Sequence, residues 1–216
     1  MSSPSPQCRS ALVTLAKTSN GRLRYLSRMP SAMLQTVDVA TIVGDDVLPA
    51  HSFALMAVSK VFREVLTVQS DIFNTHQVLQ IPLPYDTHKQ ATAALDHMYE
   101  QYVPQPAGKT ALSHKTAISL MQFGHKYDAA TLFDYAHSSL IAVVQKESSK
   151  VNPRNTVSDH VVSKIVDITN AAEDFNDDLL DTCVAWFKEN IRRCKSHQTI
   201  LHRLDKTIML RLLTAD

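Results

Sequence analysis

Val37-Asp38-Val39-Ala40-Thr41-Ile42-Val43 runs directly into Gly44-Asp45-Asp46-Val47-Leu48-Pro49-Ala50-His51. The first seven residues are dominated by β-branched side chains, which fit a pleated surface, so they predict a strand. Val37, Val39, Ile42 and Val43 are nearly continuous rather than alternating, which predicts burial on both faces. Asp38 interrupts the run, and a carboxylate taken out of water must find partners. Gly44-Asp45-Asp46 reads as a turn. Val47-Leu48 resumes extended chain, because Pro49 disfavours helix at the residue before it. Pro49 then suits the start of a helix running through Phe53, Leu55, Met56 and Phe62. A further short strand is predicted at Val78-Leu79-Gln80-Ile81, stopped by Pro82 and Pro84.

Downstream the period changes from that of a strand to that of a helix. Ala91, Ala94, Leu95, Met98, Tyr99 and Tyr102 share one helical face, and Pro104, Pro106 and Gly108 then break the chain. Ala117, Leu120, Met121, Gly124 and Tyr127 predict the next helix, and Leu132, Ala136, Leu140 and Val143 another. Lys146–Pro153 reads as a polar linker. Two more helices follow, one through Val162, Ile165, Val166, Thr169 and Ala172, the other through Leu180, Cys183, Val184, Phe187 and Ile191. Short helices near 200–204 and 207–213 end the chain. A shift of 47 residues places Ile118 on Ile165, Gly124 on Ala171, Leu132 on Leu179, Ala136 on Cys183 and Leu140 on Phe187. This weak repeat predicts two helical hairpins, each with a small residue late in its first helix, where two helices can pack closely.

Upstream of the decisive strand, residues 1–37 carry no Asp or Glu but hold Arg9, Lys17, Arg22, Arg24 and Arg28 and seven Ser. The segment is therefore +5 and the rest of the 216-residue chain −4, within a net charge of +1. That composition is shared by organelle transit segments and by solvated leaders. Residues 11–28 fit either a hairpin turning at Asn20-Gly21 or a short helix over 8–17. With 44% hydrophobic residues the chain can build a core, and with only four Gly it favours helix over an all-β fold. No apolar run approaches the roughly 18 residues of a membrane span. Cys8, Cys183 and Cys194 give no disulfide pattern. If Cys183 and Cys194 share one helix, they stand about 16 Å apart, beyond bridging distance. Reduced thiols predict a cytoplasmic or nuclear protein.

Catalytic and metal chemistry find little support. The ten His include no His-x3-His pair, and no Cys-x2-Cys occurs. No Gly-x-Ser-x-Gly, phosphate loop or dinucleotide fingerprint is present. Asp174, Asp177, Asp178 and Asp181 fall at a predicted helix start, where capping and the helix dipole account for them. Arg192, Arg193 and Lys195 fall at a helix end, where the dipole favours cations. Arg22, Arg24 and Arg28 are better placed for nucleic acid but form no basic stripe. No enzyme, cofactor, metal or membrane partner is expected, nor is nucleic-acid binding.

The elements, in this order, resemble the BTB (POZ) domain family. The specific part is Val37-Asp38-Val39 through Gly44, then Leu48-Pro49-Ala50-His51, then Leu55, Ser59, Val61 and Phe62. Leu79–Pro84 resembles the family's third strand, Leu95–Tyr99 its Leu-x3-Tyr helix, and Phe123–Asp128 with Leu132 its helical pair, with Gly124 where Ala is usual. Residues 158–213 resemble the helical BACK-type extension. The resemblance implies an α+β fold, a small β-sheet capped by helices and followed by an α-helical extension. The implied domains are a flexible basic segment at 1–35, the BTB/POZ domain at 36–146, a linker at 147–157 and a BACK-like extension at 158–216. Asp38, His51, Leu55, Ser59, Phe62, Tyr99, Tyr127 and Leu132 are then structural. His51 is expected on a backbone carbonyl or on Asp38, and Ser59 on the carbonyl four residues earlier in its helix.

The resemblance also implies a protein-interaction module. Many family members form homodimers, and many are substrate adaptors of cullin-3 ubiquitin ligases; a scaffold without a ligase role is the alternative. The contact surface implied is Ser59–His76 with the helical pair around Phe123–Tyr135, and Val68, Ile72 and Phe73 are its candidate apolar contacts. Either these side chains stand exposed, or Ile72 and Phe73 fold back onto the sheet. Two departures from the family bear on function. Val65–His76 contains no Glu, so the apolar-x-Glu motif of many adaptors is missing. Ser52 stands where Lys or Arg often follows the His, which leaves Asp38 without that partner.

Overall fold

The computed structural model describes residues 9–19, 23–72, 78–100, 112–150, 157–173, 175, 177–194 and 197–214. The chain divides into two compact units. The first is Met1–Ala111 with Phe123–Phe133, the second Leu112–Gln122 with Asp134–Asp216.

The first unit holds three strands, β1 (Val39–Val43), β2 (Asp46–Ala50) and β3 (Leu79–Pro82), in the order β2-β1-β3. β1 and β2 form the expected antiparallel hairpin, with Val39 opposite Ala50 and Val43 opposite Asp46. Gly44 turns it at φ +59°, a conformation that costs glycine nothing. β3 pairs with β1 in parallel, Val39 opposite Leu79. Val37, Val39, Ala40, Thr41 and Val43 are buried, and of the four residues in the apolar run only Ile42 is half-buried. Pro49 does not start a helix: it lies inside β2, and α4 (Ser52–Val58) begins after His51. A proline is tolerated there because β2 is an edge strand and needs no outward donor.

The helix expected through Phe62 is two helices, α4 and α5 (Lys60–Ile72), broken at Ser59. Ser59 has extended backbone (φ −118°, ψ 128°) and ends α4 through its N–H on the Leu55 carbonyl. Its hydroxyl accepts from Phe62 N–H at 3.0 Å, the role of an N-cap for α5. The same hydroxyl donates to the Tyr127 carbonyl at 2.5 Å, so the carbonyl it reaches is not the one four residues earlier. α6 (His88–Tyr99) opens on a capping box between Thr87 and Gln90.

The region before β1 also departs from expectation. Of the two readings of residues 11–28 the helix is observed, as α1 (Arg9–Ser19); Asn20-Gly21 lies outside the described residues. The short helices α2 (Arg24–Ser27) and α3 (Ser31–Leu34) follow. Leu12, Ala16, Leu23, Tyr25, Leu26, Met29 and Leu34 are buried, so these residues form part of the core and not a flexible leader. The sparse apolar positions in a basic, Ser-rich stretch are the ones that fold inward.

α7 (His114–Lys126) and α8 (Ala130–Lys150) contribute residues to both units. α8 runs on through 146–150, where a linker was expected; residues 151–153 of that linker lie outside the described residues. The second unit continues with α9 (Asp159–Glu173), α10 (Asp177–Asn190), α11 (Gln198–Leu201) and α12 (Lys206–Thr214). Val162, Ile165, Val166, Thr169 and Ala172 of α9 and Leu180, Cys183, Val184 and Phe187 of α10 are buried, as their spacing predicts, whereas Ile191, expected on the same face, lies beyond α10 and is exposed. α10 ends at Asn190, so Cys194 lies beyond it and not on the helix of Cys183. Both thiols are free and buried, and burial pushes them up to about 12 and about 11, which keeps them protonated and inert.

Candidate interaction surface

The residues that carried the fold reading do structural work within the first unit. Asp38 is satisfied by Ser52, whose N–H donates to one carboxylate oxygen at 2.7 Å and whose hydroxyl donates to the other at 2.6 Å. Ser52 thus takes the place that a Lys or Arg often fills, and holds Asp38 by hydrogen bonds in place of that charged partner. A neutral hydroxyl and a helix-entry amide replace a cation, so this corner of the unit carries no ion pair between the two positions.

His51 is buried at the entry to α4. Its Nε2 lies 2.8 Å from the Met33 carbonyl, which can only accept, so Nε2 carries the proton. Nδ1 then accepts from the Tyr99 hydroxyl at 2.8 Å, and that hydroxyl accepts the His51 N–H at 2.7 Å. Of the two partners expected for His51, the backbone carbonyl is the one bonded. Burial lowers the imidazole's proton affinity, only partly offset by the Met33 carbonyl and by Asp38. Tyr25 stacks on Tyr99 at 5.2 Å between ring centroids and donates to the Pro49 carbonyl. This cluster ties α2 and α3 to the end of β2 and the end of α6.

A second cluster joins α5 to the end of α7. Phe62, Phe123 and Tyr127 have ring centroids 4.5–6.1 Å apart. The Tyr127 hydroxyl donates to Asp86 at 2.5 Å, and Lys126 Nζ reaches the same carboxylate oxygen at 2.6 Å. Burial, with the hydrogen bond and charge of Asp86 behind it, pushes the Tyr127 phenol well above its usual range. Leu55 and Leu132 are fully buried. The Asp86–Lys126 pairing was not anticipated, because 40 residues separate the partners and neither belongs to a repeated pattern.

The interface candidates lie on a different face. Val68 and Ile72 are 59% and 69% exposed, so Ile72 does not fold back onto the sheet. Val65 is also exposed and Val61 half-buried. Val61, Val65, Val68 and Ile72 follow i, i+4, i+7, i+11 and form one apolar stripe beside the buried face of Phe62 and Leu66. That spacing was legible in the sequence, and only Val68 and Ile72 of it were singled out. Phe73 lies outside the described residues. Within the stripe's helix the acidic residues are Glu64 and Asp71, both exposed. The side chains present can pack and hydrogen-bond; among the described residues no group of three His, Cys, Asp or Glu is placed to hold a metal ion, and no helix is long and apolar enough to cross a membrane.

No curated protein matches the chain. The BTB domain of zebrafish PATZ1 is among the solved structures it resembles, at 18% identity and a TM-score of 0.38, covering 63% of this chain and 96% of that one. The family model described as the BTB/POZ domain matches residues 29–143, more than half of the sequence. Its start at residue 29 lies within the buried stretch that precedes β1. The chain belongs to the BTB/POZ domain family.

Proposed function

We propose that this protein-interaction module acts as a homodimerising BTB adaptor whose α5 stripe docks a protein partner, followed by a BACK-like helical extension. The observation that carries the reading is the stripe itself. Val65, Val68 and Ile72 expose apolar surface together on one helix, and among the described residues none covers them. Such clustered apolar side chains are what a partner desolvates on binding.

Cullin-3 is the partner class that the family suggests. The missing Glu argues that its binding is weak or absent, which favours the scaffold reading over the ligase adaptor. Calorimetry with the cullin-3 N-terminal region tests this, with wild type, Ile72→Asp and Phe73→Ala. Weak binding abolished by Ile72→Asp supports a ligase role through the stripe, and no binding supports the scaffold. Tight binding that neither substitution alters overturns the docking assignment. Light scattering tests self-association: the homodimer reading expects twice the 24.1 kDa chain mass, and a single species at the chain mass overturns it.

A further inference from the structure

The pairing of the sheet fixes which backbone groups face outward. Leu79 N–H donates to the Asp38 carbonyl at 3.0 Å and Leu83 N–H to the Ile42 carbonyl at 2.7 Å. Leu79, Ile81 and Leu83 therefore turn their polar backbone toward β1, and Gln80 turns its own away from the sheet. At that point the Gln69 carboxamide, from α5, takes both groups. Its Nε2 donates to the Gln80 carbonyl at 2.7 Å, and its Oε1 accepts the Gln80 N–H at 2.9 Å. A primary amide so placed copies the donor and acceptor of a neighbouring strand. The next outward residue is Pro82, which has no N–H.

The opposite edge is guarded at Pro49 by different means. Ile42 turns its carbonyl to β3, while Asp38, just before β1, gives its carbonyl to Leu79 and its N–H to the Ala50 carbonyl at 3.2 Å; Val39, Thr41 and Val43 of β1 lie opposite Ala50, Leu48 and Asp46 of β2. Pro49 then faces outward. It has no N–H, and its carbonyl accepts from the Tyr25 hydroxyl at 2.9 Å. Proline at an edge and covered backbone groups are devices that keep sheets from pairing with other chains.

We infer that the β3 edge is closed to strand addition, with Gln69 standing in for a neighbouring strand at Gln80, so that second copies and partners do not extend the sheet from that edge and engage the chain through its helices and loops. The inference deepens the proposed function by naming its mode of engagement, and rests on that reading only where partners are concerned. Gln69 borders the α5 stripe, four residues after Val65 and three before Ile72, so the guard is read at the Gln80 amide itself and not from partner binding alone.

Amide hydrogen exchange on the full chain, combined with light scattering across a concentration series, tests it. In Gln69→Leu of unchanged circular dichroism, the Gln80 amide exchanges at least about tenfold faster than in wild type, while Ile81, facing β1, is unaffected. Gln69→Glu keeps an acceptor for the Gln80 N–H but sets a carboxylate oxygen against the Gln80 carbonyl, so it restores only part of the protection. The Leu variant also gains mass with concentration beyond wild type, as an opened edge pairs between copies. Unchanged Gln80 exchange in a folded Leu variant overturns the guard. Extra protection of Gln80 in wild type on self-association or partner binding overturns the closed edge. A wild type that stays at one copy with Gln80 protected supports the closed edge and counts against the homodimer.

Discussion

A Cβ placed on Gly124 would lie 2.7 Å from the backbone nitrogen of Phe133 and 3.0 Å from its Cα. The end of α7 and the start of α8 therefore approach each other through a contact that only hydrogen can occupy. The atoms in the way belong to the backbone and cannot rotate aside. Gly124→Ala gains about 1 kcal/mol of helix propensity. It also forces apart a turn held by Ala129 N–H on the Gly124 carbonyl at 2.8 Å. Overpacking costs of about 1–3 kcal/mol are usual, and with backbone as the obstacle the upper part of that range applies. The expected outcome is a net loss of stability, read as a lower denaturant midpoint with an unchanged slope. A midpoint at or above wild type would mean that the helices separate freely.

Phe62 and Leu132 are almost wholly buried, and Phe62 packs against the rings of Phe123 and Tyr127. Phe62→Ala removes an aromatic ring from that cluster, and Leu132→Ala opens a void at the start of α8. Each is expected to cost about 2–5 kcal/mol, Phe62→Ala in the upper half of the range. Urea denaturation followed by circular dichroism measures both. Wild-type midpoints would remove these residues from the core.

His51 gives the first unit a pH dependence with a definite sign. Its folded proton affinity is lowered, chiefly by burial, from an unfolded value of about 6.5. Between the folded and unfolded values the unfolded chain binds more protons. The stability His51 contributes is therefore fully present above pH of about 6.5 and is lost as pH falls through the lower, folded value. Protonating Nδ1 also removes the acceptor that the Tyr99 hydroxyl donates to. His51→Gln lacks this titration, so its stability is expected to vary less with pH from about 7.5 down to about 5. Chemical denaturation across that interval compares the two chains. Parallel pH profiles would show that His51 does not carry the dependence.

How much of this was legible follows from the range of the forces involved. The hairpin, β3 and the later helices lie in local periodicity, and the Val37–His51 stretch was sufficient to place the fold family. The break at Ser59 was not legible. A hydroxyl that caps α5 while donating to Tyr127, 68 residues away, is set by tertiary contact. The Ser52–Asp38 contact is not legible either, because a sequence shows which residue replaces a cation but not whether a hydroxyl can reach the carboxylate. The burial of Tyr25, Leu26 and Met29 was masked by neighbours whose charge reads as solvated. On α5, the stripe at Val61, Val65, Val68 and Ile72 could be read from spacing, whereas the Gln69 clamp on Gln80 required knowing which strand lies at the edge.

In the second unit, Lys164 of α9 lies 2.7 Å from the Glu147 carboxylate of α8, with side chains 15% and 8% exposed. Two charges withdrawn this far from water recover their desolvation cost through each other. Removing one leaves the other buried without that opposite charge. Lys164→Met leaves Glu147 without its cation, and Glu147→Met leaves an ammonium beside an apolar side chain. Each single substitution is expected to cost about 3 kcal/mol. The double Met variant substitutes packing for both charges and is expected to recover most of that loss. A double-mutant cycle by urea denaturation gives the coupling, expected above about 1.5 kcal/mol. Simple additivity of the two single losses would show that water still screens the pair and that α8 and α9 are held by their apolar faces alone.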